Sequence, residues 1–306
     1  MTIATCYLSP EGVVFGADST TTFMLPSSLG GALHFNYCQK VFEVGENSTL
    51  GILTWGLGGL PPVSYRTLIA QLGDDLQSNP PATVLDVAER WVRLYFKEYQ
   101  GKFSDEITKC NRLMSKQPYD PSASGSVPDG RTFQEEVFFR QVCQNLTVGF
   151  CIGGYVLGDR TPYAYEIIFD PSNGMPSPTE LSHGQKFWGM PSLINRLITG
   201  CADEVRVEIE NSPHWNGTPK DLDTLLQKAQ LSHPNTMPIR EAIDFSHTCL
   251  FTTIKAMKFS SLPQFCGGPI ELAVVTTDRN FRWVRHKRWD SALNEGTLDG
   301  SSLYVG

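Results

Sequence analysis

The first twenty-two residues, MTIATCYLSPEGVVFGADSTTT, constrain the fold more than any other part of the chain. Two apolar runs, at 3–8 and 12–17, flank the turn sequence Ser9-Pro10-Glu11-Gly12. Strand-like runs on either side of such a turn are typical of a β-hairpin. The second run ends at one acidic residue, Asp18, and the hairpin returns this residue to the start of the first strand. The sequence therefore predicts Asp18 beside Thr2.

The pattern of apolar residues then changes along the chain. Two further strands are predicted at Lys40–Val44 and Leu50–Trp55. Residues Val63–Leu76 and Thr83–Tyr99 carry apolar side chains at spacings of three and four, which indicates two amphipathic helices. The segment 115–131, SKQPYDPSASGSVPDGR, is polar and rich in Pro, Gly and Ser, so we expect an exposed loop.

The second half repeats this alternation of strands and helices. Strands are predicted at Thr147–Leu157, Tyr163–Phe169, around Lys186–Gly189, and at Ile270–Thr276 and Phe281–His286, and helices near Pro191–Thr199, Leu222–Gln230 and Ile239–Ser260. This order favours an α+β fold in which two sheets lie between helical layers. No internal repeat or linker divides the chain, so we predict one domain, 1–306.

Composition and motifs exclude several classes of function. The net charge of −7 and the pI near 5.4 make nucleic acid and anionic lipid poor partners. No apolar run approaches the roughly 20 residues of a membrane-spanning helix, and no signal peptide is recognisable, so we expect a cytoplasmic protein with no membrane contact. The eight cysteines form no C-x-x-C pair and the six histidines are widely separated, so we predict no metal and no cofactor.

One stretch supports a rival interpretation. Residues 279–289 interleave basic and aromatic side chains, as platforms for single-stranded nucleic acid do. Their alternation also has the period of a β-strand, and the protein is acidic. We therefore interpret the stretch mainly as a packed terminal strand and predict no nucleic-acid partner.

Four segments together resemble a known family. TIATCYLSPEGVVFGADSTTT, QKVFEV, LTWGLGG and FCGGPIELAVVTTD occur in the order of the landmarks of proteasome β-type subunits, which belong to the N-terminal-nucleophile hydrolase superfamily. The resemblance is closest to bacterial proteasome-like branches, including the ancestral β-subunit family. It implies a four-layer αββα sandwich, with two antiparallel sheets between helical layers. The chain is longer than typical mature subunits, and the excess falls near 100–147 and 200–238.

The resemblance implies a catalytic role for four residues. Thr2 would be the nucleophile, and its own α-amine, which titrates near ~7.7–8.0, would be the base once Met1 is removed. Asp18 and Lys40 match the essential acid and the lysine on a strand, and an ammonium beside the hydroxyl would stabilise the alkoxide. Gly56 matches the glycine whose N–H meets the oxyanion. Since no long extension precedes Thr2, we expect that no self-cleaved propeptide is needed.

Two family positions differ in this chain. Where the family has a serine that bonds the threonine amine, the matching segment is 188–192, with Met190 at the serine's place and Ser192 as the nearest hydroxyl. An aspartate and a serine precede the late Gly-Gly in the family, and Pro263 and Cys266 stand there instead. A thiol is only a weak donor. Ser192 and Cys266 are therefore the candidate supporting residues.

These residues leave three functions open. The first is a threonine-type endopeptidase that acts on peptide or unfolded-protein substrates through an acyl-enzyme. The second is a proteasome-like subunit that assembles without cleaving, and the third is an amidase for a small non-peptide amide. The resemblance implies a homo-oligomer, either a ring or a helical stack, and the loop 115–131 and tail 290–306 are the candidate contact segments. An ATPase partner is neither indicated nor excluded.

Overall fold

Two five-stranded antiparallel sheets form the frame of the protein. The structure, a computed structural model, describes residues 2–24, 31–121, 129–231, 236–260 and 266–287. The strands are β1 (Ile3–Ser9), β2 (Gly12–Ala17), β3 (Thr21–Met24), β4 (Ala32–Phe35), β5 (Val41–Glu43), β6 (Leu50–Gly56), β7 (Val148–Val156), β8 (Asp159–Phe169), β9 (Thr179–Glu180), β10 (Gly184–Gly189), β11 (Glu271–Thr276) and β12 (Arg279–Arg285). The first sheet has the order β10-β1-β2-β11-β12, and the second has the order β5-β6-β7-β8-β9.

The N-terminal hairpin is confirmed. β1 pairs with β2 in antiparallel register from Ser9 opposite Gly12 to Ala4 opposite Ala17. Every residue of both strands is buried. A hairpin buried on both faces must lie inside the protein rather than at its surface. It is therefore a rigid support for the residues at its open end.

Eight helices are found in the described residues, including the five that the sequence predicts. They are α1 (Tyr65–Ser78), α2 (Val84–Lys102), α3 (Ser104–Met114), α4 (Phe133–Leu146), α5 (Ser192–Thr199), α6 (Asp203–Glu210), α7 (Pro219–Leu226) and α8 (Ile239–Lys258). Ser64 and Thr83 cap α1 and α2 by accepting a hydrogen bond from the main-chain N–H three residues later. These caps fix where each amphipathic helix begins.

Some elements were not expected. α3 and α4 flank the predicted exposed loop, and Arg131 at its end is buried rather than exposed; residues 122–128 lie outside the described part. α4 buries only Glu136, so its apolar periodicity is weak. Its capping box, Thr132 with Glu135, is the signal that could have predicted it. The small β3–β4 hairpin was also not predicted.

Three layers of apolar packing connect the elements. The first lies between α1–α2 and the second sheet, the second between the two sheets, and the third between the first sheet and the helices α5 and α8. Their central buried residues are Trp91, Tyr95 and Phe150 in the first, Phe15, Leu53 and Cys151 in the second, and Ile3, Leu250 and Leu272 in the third. Helices thus cover the outer face of each sheet, which makes the fold mixed α and β with antiparallel sheets, as predicted.

The predicted terminal strand is confirmed as β12. It pairs with β11 at the edge of the first sheet, where Phe281 is buried and Trp283 packs edge-on against it with ring centroids 5.2 Å apart. The last two residues of the basic and aromatic stretch, and the tail 290–306, lie outside the described residues. Within the described ranges, no helix has both the length and the apolarity to cross a membrane.

Candidate active site

Thr2 lies at the open end of the N-terminal hairpin, immediately before β1. It is buried, with 4% of its surface exposed. The neighbouring strand β10 approaches so closely that a Cβ placed on Gly189 would lie 1.7 Å from the carbonyl oxygen of Thr2. Gly189 also has a φ of +85°, which favours glycine. The main chain of Thr2 is therefore held between β10 and the start of the hairpin.

Asp18 ends β2 beside Thr2, as the hairpin requires. Its carboxylate is fully buried and accepts three main-chain hydrogen bonds, from Ile3 (3.1 Å), Thr20 (3.1 Å) and Gly267 (2.9 Å). Hydrogen bonds to the charged form of a carboxylate stabilise that form. Three separate segments thus converge on Asp18 and fix its orientation.

Lys40 brings a positive charge to this carboxylate from the second sheet. Its Nζ donates to Oδ1 of Asp18 at 2.6 Å and to the carbonyl oxygen of Thr20 at 2.6 Å. Its side chain is 5% exposed, so the pair is shielded from solvent. A buried charge needs such a partner, since an unpaired one costs several kcal/mol. The two sheets are therefore joined at this point by a balanced ion pair.

A narrow pocket lies in front of this pair. Thr2, Lys40 and Gly56 line it together, and its volume is about 20 Å³, which is room for about one water molecule. Thr54 also lines the pocket, and its buried hydroxyl has no hydrogen-bond partner among the described residues. One small pocket is therefore lined by Thr2, by the lysine of the ion pair and by Thr54.

Gly56 ends β6 at the pocket wall in a conformation that only glycine adopts readily. Its φ is +86°, and a Cβ there would lie 2.4 Å from the carbonyl oxygen of Thr147. Both main-chain polar groups of the next residue, Leu57, are hydrogen-bonded. Its N–H donates to the carbonyl oxygen of Thr147 (3.0 Å), and its carbonyl accepts from the Tyr65 hydroxyl (2.6 Å). Burial raises the pKa of Tyr65 well above its usual range, so the phenol remains a donor.

Two stacked tryptophans support the pocket from behind. Trp55, which precedes Gly56, stacks on Trp188, which precedes Gly189, with ring centroids 4.3 Å apart and an interplanar angle of 14°. The indole N–H of Trp188 donates to the carboxylate of Glu166. This stack connects β6 of the second sheet with β10 of the first. It therefore fixes the distance between the two strands that carry the pocket's glycines.

The two supporting candidates differ in position. Cys266 is fully buried next to Gly267, which bonds Asp18, and burial together with the nearby Asp18 raises the pKa of its thiol to about 12. It therefore stays a neutral thiol. Ser192 is half-buried at the first position of α5, and within the described residues its hydroxyl makes no hydrogen bond with Thr2. The structure thus brings Thr2, Asp18, Lys40, Gly56 and Cys266 together, whereas no hydrogen bond among the described residues joins Ser192 to Thr2.

Three residues at the site were missed by the sequence analysis. They are Thr54, with its unpaired hydroxyl, Cys38, which lines the same pocket, and Glu271, which approaches the main chain of Lys40. Only Glu271 had a visible signal, because it is a charge at the start of the apolar strand ELAVVT. Thr54 and Cys38 look like ordinary strand and loop residues in the sequence.

Comparison with known proteins gives structural likeness alone. No protein-family model matches the chain, and no curated protein matches it either. Among solved structures, the Anbu (Gly-1) mutant from Hyphomicrobium sp. strain MC1 is 12% identical with a TM-score of 0.41, over 96% of this chain and 95% of that one. Anbu (ancestral beta-subunit) from Yersinia bercovieri is 10% identical with a TM-score of 0.43, over 100% and 99%. These names are those of the branch indicated by the sequence motifs, but at such values we base no argument on the likeness.

Proposed function

We propose that this protein is a threonine-type amide hydrolase whose nucleophile is Thr2. The proposal is carried by one observation: Lys40, whose ammonium lies 2.6 Å from the buried carboxylate of Asp18, lines the same pocket as Thr2 and Gly56. A hydroxyl is a weak nucleophile and needs activation, and these are the groups that would supply it. The resemblance of the sequence motifs to proteasome β-type subunits supports the same assignment.

The chemistry follows from the groups in the pocket. After removal of Met1, the free α-amine of Thr2 takes the proton of its own hydroxyl, directly or through one water, while the oxygen attacks the amide carbon. The Lys40 ammonium stabilises the alkoxide, and the N–H of Gly56 donates to the oxyanion, which is worth about 2.7–4 kcal/mol for one such donor. The amine product leaves with the transferred proton, and water then hydrolyses the Thr2 ester.

The arrangement of helices and sheets also supports this proposal. We assign the elements to a four-layer αββα sandwich of the N-terminal-nucleophile hydrolase type. This assignment is supported by three regions of apolar packing, which lie between α1–α2 and the second sheet, between the two sheets, and between the first sheet and the helices α5 and α8. We further propose a peptide or unfolded-protein substrate and a homo-oligomer in the form of a ring or helical stack, both from the resemblance of the sequence.

A second candidate function is a proteasome-like subunit that assembles but does not cleave. It is favoured by the two departures around the threonine. Met190 packs in the apolar cluster that contains Ile3, and the Cys266 thiol replaces a hydroxyl. The Thr2 amine would then lack the hydroxyl partner that orients it in the family. Hydrolysis of a small non-peptide amide by the same Thr2 is the third candidate function.

The first experiment is intact-mass analysis of the protein after incubation with a peptide epoxyketone, which reacts with a hydroxyl and an amine on the same N-terminal residue. The protein should be prepared with Thr2 at its N-terminus, by natural removal of Met1 or by cleavage of an added leader. The matched control is Thr2→Ala, which leaves an equally small N-terminal residue.

We expect loss of Met1 and one adduct per chain in the wild type, and no adduct in Thr2→Ala. A peptide library would then distinguish the endopeptidase from the small-amide enzyme. If Thr2 is the N-terminal residue and still forms no adduct, this would contradict the hydrolase proposal and favour the assembly-only subunit.

A further inference from the structure

A second buried carboxylate lies at the site, on the main-chain side of Lys40. Glu271 is the first residue of β11 and is fully buried. Its Oε2 accepts the main-chain N–H of Lys40 at 3.4 Å. The two residues are 231 positions apart in the chain, so this contact exists only because the sheets pack together. Glu271 is therefore a tertiary acceptor for the segment that carries the lysine.

Lys287 balances the charge of Glu271. Its Nζ lies 3.0 Å from Oε1 of Glu271, and neither atom has a hydrogen-bond partner elsewhere in the described residues. His286 lies 3.6 Å from the same oxygen, but burial lowers the pKa of its imidazole more than Glu271 raises it, so it is neutral at pH 7. Lys287 therefore supplies the positive charge that a buried carboxylate needs.

The two carboxylates hold Lys40 at opposite ends of the residue. Asp18 accepts from its ammonium at 2.6 Å, and Glu271 accepts from its main-chain N–H. They come from neighbouring strands of the first sheet, since Glu271 pairs with Ala17, the residue before Asp18. Lys40 itself precedes β5 of the second sheet. Both contacts thus fix one lysine of the second sheet against the rigid hairpin of the first.

We propose that Glu271, paired with Lys287, is a positioning residue that holds the main chain of Lys40 so that its ammonium reaches Asp18 and the Thr2 pocket. This inference rests on the proposed function, because it takes Lys40 as the group that activates Thr2. Glu271 acts through Lys40 and does not itself line the pocket. A misplacement of about 1 Å in such a group can cost about 100-fold in rate.

The test uses the double variant Glu271→Leu/Lys287→Met. Replacing both partners of a buried ion pair by apolar residues of similar volume is often neutral for stability, so this variant should fold. It removes the acceptor for the Lys40 N–H without leaving an unpaired charge. Glu271→Gln is the conservative variant, since its amide oxygen retains the acceptor. Glu136→Gln, which alters a buried ion pair in α4, is the control away from the site.

Two measurements separate positioning from folding. The first is the reaction with the epoxyketone, resolved into the number of adducts per chain, the rate constant at saturation (kinact) and the half-saturating concentration (KI). The second is deuterium exchange of the Lys40 main-chain amide, which needs no activity. The double variant should keep full adduct formation and an unchanged KI, with kinact lower by about 10–100-fold and faster exchange at Lys40. Glu271→Gln should recover most of kinact, and Glu136→Gln should leave it unchanged.

Other outcomes would overturn the inference. A double variant with unchanged kinact and a protected Lys40 amide would show that Glu271 does not position the lysine. Fewer adducts at an unchanged kinact would reveal a role in folding alone. A wild type that forms no adduct would instead contradict the proposed function, and the exchange at Lys40 would still decide whether Glu271 holds this segment.

Discussion

Two of the buried ion pairs among the described residues have similar chemistry and different surroundings. Lys40 and Asp18 meet at 2.6 Å at the junction of the two sheets, and Arg131 and Glu136 meet at 3.0 Å beside α4. Each carboxylate is well satisfied. Asp18 accepts from three main-chain N–H groups, whereas Glu136 also accepts from the side chain of Arg140 at 2.7 Å.

The difference lies in what each cation faces. Lys40 lines a pocket that Thr2 and Gly56 also line. The Arg131 guanidinium instead contacts structural groups: besides Glu136, it donates to the Leu113 carbonyl (2.8 Å) and lies over the ring of Phe139 at 4.0 Å. A buried ion pair alone is therefore no sign of a catalytic site. The neighbouring pocket and nucleophile give the pair at Lys40 its candidate role.

Removing Asp18 should have the largest effect. Asp18→Ala leaves the Lys40 ammonium buried without its anion and removes the acceptor of three main-chain N–H groups. We expect the free energy of unfolding to fall by about 3–5 kcal/mol, measured by urea denaturation, together with complete loss of the epoxyketone adduct. Lys40→Met should cost less, because Asp18 keeps its three main-chain donors. If Lys40→Met destabilised the protein more than Asp18→Ala, our description of this carboxylate would be wrong.

Removing the charge of Glu136 should have a smaller effect on stability and none on chemistry. Glu136→Gln weakens the contacts with both arginines, but Arg131 keeps its carbonyl and aromatic partners. We expect a loss of about 1–3 kcal/mol in the free energy of unfolding and an unchanged rate of adduct formation. A slower adduct rate in this variant would mean that the α3–α4 region is coupled to the site, which would end the contrast between the two pairs.

The stability difference between the wild type and Glu136→Gln should depend on pH in one direction. Arg140 and then Arg131 hold the pKa of Glu136 below its usual value of ~4.3, against the opposing effect of burial. A carboxylate whose pKa is lower in the folded state stabilises the fold above the unfolded pKa, and this contribution disappears as the pH falls through the folded pKa. The stability gap between the wild type and Glu136→Gln should therefore be largest at neutral pH and shrink in acid. Unfolding curves at several pH values would reveal a constant gap if this account were wrong.

Alanine substitutions at two glycines should have the smallest effects on stability, and effects of opposite sign. In α2, a methyl group added at Gly101 would meet no side chain and no other element within 4 Å, so Gly101→Ala should stabilise the protein by about 0.5–1 kcal/mol. Gly56→Ala, at a φ of +86° and against the Thr147 carbonyl, should instead lower both stability and the adduct rate. Thermal unfolding of the two variants checks the opposite signs. If both variants changed the unfolding temperature in the same direction, the positive φ of Gly56 would not be required for stability.

The sequence predicted the local structure well where side-chain pattern and turn chemistry agree. The first hairpin, α1, α2, α8 and the β11–β12 pair follow from apolar spacing and from residues that cap helices or form turns. It did not predict α3, α4 and α6, which bury few residues: Cys110 and Leu113 in α3, Glu136 in α4 and none in α6. The interpretation of 100–147 and 200–238 as insertions stays a prediction.

For the site, the sequence by itself determined which residue lies beside Thr2. The hairpin is local, and its register places Asp18 there whatever the rest of the chain does. The convergence of Lys40, Gly56 and Glu271 was decided only by the packing of the two sheets. Lys40 and Glu271 are brought together across 231 residues, and such a contact has no signature in local spacing because it depends on how two separate apolar surfaces fit. The neighbour of Thr2 is thus determined by the local sequence, whereas the other groups around this pair are determined by the packing of the two sheets.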